Sequence, residues 1–176
     1  MTRANKPTEP SAQTALAGFP PIASTGATTL ILGSMPGVAS LHAVRYYAHP
    51  RNAFWPVMSA IYQHNIQHYD DGIALLFEHN LALWDVLASC ERSGSLDANI
   101  KPDTVRANDF HAFLHRHTLI SRIVFNGTAA AKLFKRHVVL PADRVFLLKQ
   151  APSTSPAMAS LTVAQKTERW RQCLWD

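Results

Sequence analysis

Cysteine is scarce in this chain: only Cys90 and Cys173 occur, and they form no CxxC pair. A disulfide framework, an iron–sulfur cluster and a thiolate zinc site are therefore not expected. Long apolar runs are missing too, since none approaches the ~20 residues that cross a bilayer. The opening "MTRANKPTEPSAQTALAGFPPIAS" has no compact apolar stretch behind a basic start, so it does not read as a signal peptide. There is no Walker loop and no dinucleotide fingerprint, and Ser34 directly after Gly33 does not make the GxSxG elbow of hydrolases. His64 and His68, and again His111 and His115, stand four apart, but neither pair has the Glu of HExxH or an evident third ligand. These absences point to a soluble protein of a reducing cytoplasm, with no membrane contact and no metal.

Acidic residues are short in one half. From Arg92 onward the chain holds thirteen of its seventeen Lys and Arg residues but six of its twelve Asp and Glu. The formal net charge is +5, a balance that favours polyanionic partners, nucleic acid first.

The pattern of elements is that of an α/β fold. Thr28–Leu32, "RIVFNG" and "DRVFLL" read as buried strands, the first stopping at Gly33. Helical spacing appears in "NAFWPVMSAIYQHN", with Asn52 as N-cap, and in "DDGIALLFEHN". It recurs in "KPDTVRANDFHAFLHRH" begun by Pro102, in "TAAAKLFKRH" and in "TVAQKTERWRQCLW", where Trp170 and Trp175 are expected in the core. "LALWDVLASC" fits either a strand or a helix. Strands alternating with helices predict a single three-layer domain over residues 27–176, a mainly parallel sheet flanked by helices. Residues 1–26, rich in Pro, Ala, Ser and Thr, are expected to form a flexible arm.

Ligands of such folds lie outside the carboxyl ends of the strands. Three stretches fall there: "GSMPG" (Gly33, Ser34, Met35), "NGTAA" (Asn126) and "KQAPSTSPAM". Lys149 with the hydroxyls Ser153, Thr154 and Ser155, on a Pro-stiffened loop that ends at Met158, suits the phosphates of a nucleic-acid backbone. "YYAHPRNAFW" should border the same cleft, with four aromatic residues in ten beside His49, Arg51 and Asn52.

Taken in order, "GSMPG", "YYAHPRNAFW", "LWDVL", "GSLDANI", "FNGTAA" and "APSTSPA" resemble the uracil-DNA glycosylase superfamily, and most of all its deoxyinosine (hypoxanthine) branch. The resemblance runs from about Thr29 to the final helix. It implies a glycosylase that flips a deaminated base, hypoxanthine above all, out of double-stranded DNA and hydrolyses its N-glycosidic bond as a monomer without a cofactor. It also implies roles for residues. Tyr47 would stack on the flipped base and Asn52 would be the main catalytic group. Gly33, Ser34, Met35, Asp85 and Asn126 would surround the base, with Arg92 at the rim. His49, Arg51, Lys149, Ser153, Thr154, Ser155 and Met158 would hold the DNA. Two positions depart from the superfamily pattern. Met35 stands where the mismatch-specific uracil/thymine enzymes place the Asn that positions water, and a thioether is only a weak acceptor. Ala151 stands where a His or Asn often precedes Pro-Ser. Both departures count against efficient uracil excision, and the deoxyinosine branch shares the first. A uracil mismatch enzyme, a DNA-binding relative with weakened catalysis and a nucleotide-binding regulator remain the alternatives.

Overall fold

The computed structural model describes residues 15–176, so the flexible arm expected for residues 1–26 lies outside the described chain up to residue 14. From residue 15 the chain is tied to the domain. Strand β1 (Leu16–Ala17) pairs with Cys90 and Ser89, and Ile22 bridges to Leu83. The Tyr46 hydroxyl and the Trp84 indole N–H donate to the carbonyls of Pro20 and Phe19 at 3.1 and 3.0 Å. The expected boundary at residue 27 therefore falls inside a segment already anchored.

Four parallel strands form the central sheet in the order β3 (Leu81–Asp85), β2 (Thr29–Gly33), β6 (Arg122–Asn126), β7 (Leu147–Ala151). All five residues of β2 and of β3 are buried, as continuous apolar runs covered on both faces should be. Helices α1 (Val38–Ala43), α2 (Phe54–Tyr62) and α3 (Tyr69–Glu78) lie between β2 and β3 in the chain. Helix α4 (Phe110–Arg116) precedes β6, α5 (Thr128–His137) joins β6 to β7, and α6 (Val163–Trp175) closes the chain. A small antiparallel sheet, ordered β1, β4 (Leu87–Cys90), β5 (Arg106–Ala107), lies beside the main one. Because the chain leaves β2 toward β3 on one side and returns to β6 on the other, a crevice opens at the carboxyl ends of β2 and β6.

Several expected elements shift. The ambiguous "LALWDVLASC" is two strands, β3 and β4, turning at Val86. The helix expected from Pro102 is broken: Arg106–Ala107 is drawn into β5, and α4 begins only where Asp109 Oδ1 accepts from Ala112 N–H at 2.9 Å. The third strand starts at Leu147 rather than Asp143, because Arg144 is held by the carbonyls of Leu114 and Thr118 at 2.8 and 2.9 Å. As an edge strand, β7 leaves Leu147 and Leu148 partly exposed, so apolar patterning marked it poorly. Helix α2 takes its N-cap position at Ala53, one residue after Asn52. Trp170 is fully buried against Phe54, whereas Trp175 is more than half exposed.

Candidate active site

The crevice is a cavity of about 280 Å³ at the strand ends. Gly33 to Gly37 come from the turn after β2, Tyr46 to Asn52 from the approach to α2, and Asp85 from the end of β3. Ser95 to Asp97 form another wall, with Asn126 ending β6 and Ser153 to Pro156 following β7. The three strand-end stretches and the aromatic segment thus meet in one place.

Asp85 and Tyr47 define the floor. Asp85 is only 3% exposed, and its Oδ2, like the Tyr47 hydroxyl, is buried without a hydrogen-bond partner among the described residues. Burial, reinforced by the nearby Asp97 carboxylate and opposed by Arg92, pushes the Asp85 carboxyl up to about 7. Burial first, and the Asp85 charge second, also raise the Tyr47 phenol far above its ordinary value, so it stays a neutral donor. The Asn126 carboxamide beside it offsets part of that rise without giving the hydroxyl a well-formed hydrogen bond. Gly33 makes room for both groups, since a Cβ there would lie 2.2 Å from Asp85 Oδ1 and 3.2 Å from the Tyr47 oxygen.

The two tyrosines of "YY" part company. Tyr47 has φ +55°, an uncommon conformation for a bulky residue, and its ring stacks on Phe54 with centroids 4.1 Å apart. One ring face is thereby backed and the residue still lines the cavity. Tyr46 is buried edge-on to Phe19, so its hydroxyl anchors the chain at Pro20. Asn52 lines the cavity with its carboxamide oriented, Oδ1 accepting from Phe54 N–H at 3.0 Å. This is an Asx-type contact to the first residue of α2, serving the helix start from outside the N-cap position.

Asn126 and Thr154 are a rivet. Thr154 N–H donates to Asn126 Oδ1 and Asn126 Nδ2 donates to Thr154 Oγ1, both at 2.8 Å, while Thr154 O accepts from Ala53 N–H at 2.9 Å. Thr154 is buried, so it joins the β7 loop to the aromatic segment rather than facing solvent. Ser153 and Ser155 remain partly exposed on the cavity wall.

The turn after β2 is held from below. The Arg92 guanidinium, whose side chain is fully buried, donates to Pro36 O at 2.5 Å, Gly94 O at 2.9 Å and Met35 O at 3.5 Å. Arg92 is therefore a support for the turn and not a rim residue. Ser34 Oγ donates to Asp97 Oδ1 at 2.7 Å. Asp97 had no role assigned from the sequence, although "GSLDANI" carried it into the resemblance; a bond across 63 positions leaves no local signature.

Three expected contacts stand apart. Lys149 lies within β7, where its charge acts on Cys173 of α6, and it does not line the cavity. Together with Lys135 it flanks a separate apolar depression over Phe125, Phe134 and Leu148. Met158 is exposed beyond the cavity wall, and Arg51 is exposed beside His49, whose Nδ1 accepts from Arg51 N–H at 3.1 Å. Part of the basic excess is also internal: besides Arg92, Arg122 donates to Leu174 O and Lys166 to Met158 O.

Known proteins share the sequence pattern and the fold. The sequence profile of the uracil DNA glycosylase superfamily matches residues 20–176. A hypoxanthine DNA glycosylase of Methanosarcina barkeri (strain Fusaro / DSM 804) is 33% identical over 112 residues, 62% of this chain and 70% of that protein. A protein of the same name from Methanosarcina acetivorans is 32% identical over 117 residues, 65% and 73% of the two chains. The solution NMR structure of a candidate uracil DNA glycosylase from Methanosarcina acetivorans superposes with a TM-score of 0.73 at 27% identity, covering 90% of this chain and 96% of that one.

Proposed function

Since the chain belongs to the uracil DNA glycosylase superfamily, we propose that it removes hypoxanthine from DNA by hydrolysing the N-glycosidic bond of a deoxyinosine turned out of the helix. The observation that carries this reading is the pair of unpartnered buried groups, Asp85 Oδ2 and the Tyr47 hydroxyl, on the floor of the cavity. Buried polar atoms cost free energy unless something bonds them, so a site of this kind is completed by its ligand. The N1–H and O6 of hypoxanthine offer a donor and an acceptor side by side. The relatives named hypoxanthine DNA glycosylases support that base over others.

As the bond stretches, negative charge gathers on the leaving base and positive charge on the deoxyribose. Catalysis is then electrostatic, with donors aimed at the base and phosphates near the sugar. The neutral Asp85 acid and Tyr47 phenol supply those donors. Asn52 holds a water with the lone pair and N–H groups left over from Phe54. Among the described residues no lysine lines the cavity, which favours hydrolysis alone over a Schiff-base strand cleavage, and no step calls for a cofactor. Duplexes carrying inosine, uracil or xanthine test the reading. Excision of inosine that leaves an alkali-labile, uncut abasic strand is expected; binding without turnover would instead make the chain a DNA-binding relative.

Two further outcomes belong to this reading. Tyr47→Ala removes a stacking face worth about 2 kcal/mol, so kcat/KM should fall ~30-fold while Tyr47→Phe, keeping the ring, loses less. Equal losses in the two variants would discard stacking. Arg51, exposed and flanked in the chain by the cavity residues His49 and Asn52, is assigned to a phosphate. Arg51→Ala should weaken binding to every duplex alike and flatten the logarithmic salt dependence by roughly one unit. An unchanged slope would take Arg51 out of the interface.

A further inference from the structure

The cavity holds two carboxylates at different depths. Asp85 is 3% exposed on the floor, whereas the Asp97 side chain is 36% exposed on the wall. Their surroundings differ in kind. Asp85 Oδ2 has no partner among the described residues, which favours the neutral acid. Burial raises the Asp97 carboxyl above its ordinary value, which suits a proton acceptor, while the Ser34 hydroxyl on its Oδ1 and Arg92 Nη1 3.9 Å away oppose that rise and favour the anion. That Arg92 contact is too long for a hydrogen bond, and its donors are taken by carbonyls, so it supplies charge without locking the carboxylate. Asp97 Oδ2 accepts no hydrogen bond from the described residues.

The bond to be broken spans the same two depths. A base seated on the floor needs a donor there, and the sugar left at the wall needs an anion as its positive charge grows. Met35 of the β2 turn supplies no such group, being a buried thioether whose carbonyl is turned to Arg92. Paired carboxyl groups with different partners and depths are a general route to different roles in one site.

We propose that Asp97 is the carboxylate that faces the deoxyribose and accepts the proton of the attacking water. This assignment rests on the glycosylase reading above. The C1′–N9 bond breaks with its electron pair leaving on the base; water oxygen bonds to C1′; one water proton passes to Asp97 Oδ2. The departing base, held by the hydrogen bond from the neutral Asp85, takes its proton from solvent, and Asp97 returns its own to solvent. Asn52 orients the same water, and Ser34 positions Asp97 without touching substrate.

Single-turnover excision of hypoxanthine from a synthetic inosine duplex tests the role. Asp97→Asn keeps an acceptor for Ser34, so Tm and binding to a duplex with an abasic analogue should hold while the rate falls about 10²-fold. Ser34→Ala should lose less, about 10-fold, and sodium formate should restore part of the rate to Asp97→Ala but none to Asn52→Ala. A rate for Asp97→Asn within about 3-fold of wild type overturns the proposal. So do equal losses in Ser34→Ala and Asp97→Asn, or a formate-insensitive Asp97→Ala that melts like wild type, since each marks a turn-holding role. A wild-type protein that excises none of the deaminated bases overturns the functional reading and this proposal together.

Discussion

Asn52→Ala should lower single-turnover excision of hypoxanthine by about 10²-fold or more, the lower range for a group that handles a proton or its water. The effect is expected to be chemical rather than structural. Asn52 Oδ1 accepts only the Phe54 N–H, and losing such a contact at a helix start costs about 1 kcal/mol, too little to unfold a domain of this size. Affinity for a duplex with a non-cleavable abasic analogue should change little, because phosphate contacts dominate binding. A folded, DNA-binding Asn52→Ala protein with near-normal excision would refute its role and leave the water to Asp97 alone.

Asp85 is the second position of large effect, and its sign can be worked out. Its carboxyl is raised to about 7 by burial, with Asp97 raising it further and Arg92 opposing, so the acid predominates below neutrality. As a donor to the leaving base it should be active in that form. Excision in the wild type should therefore decline as pH rises through about 7. Asp85→Ala removes the donor and should cost about 10²-fold, in the range for one lost donor to a developing anion. Asp85→Asn keeps a permanent N–H donor and should retain most activity while flattening the profile. An excision rate that climbs through pH 7 would show the carboxylate to be the working form. Stability follows the same proton. The folded pKa lies above the unfolded value near 4, so the contribution of Asp85 to stability is fully present below about pH 4 and is lost as pH rises toward 7. Denaturant midpoints should thus favour Asp85→Asn over wild type at pH 8 more than at pH 5.

The α/β architecture was legible because β2, β3 and β6 are short apolar runs ending in turn residues, with helical spacing between them. The convergence of Gly33, Asn126, Tyr47 and Asn52 followed from the rule that ligands sit at strand carboxyl ends, whereas Asp85 joined them only through the ordered motifs, its strand being ambiguous in the sequence. Where one residue's surroundings decide its role, the sequence was silent. Thr154 resembles its serine neighbours in a hydroxyl-rich loop, yet both its side chain and its backbone are spent on Asn126 and Ala53. Lys149 belongs to a basic half, yet strand pairing with Val124 carries it away from the cavity. Asp97 acts through a partner far along the chain, which neither helical nor strand spacing can reveal.

The strand order has a consequence for synthesis. The first strand of the main sheet, β2, sits between β3 and β6, so Thr29 must wait for Arg122 before its second side is covered. At translation rates of about 5–20 residues per second, that interval lasts roughly 5–20 s. Throughout it, this fully buried inner strand is out of the ribosome or nearing its exit with one edge unpaired, open to chaperones or to a neighbouring nascent chain. Slower translation should prolong that exposure, so the yield of soluble protein should depend on codon usage between β3 and β6 more than on codons after β6.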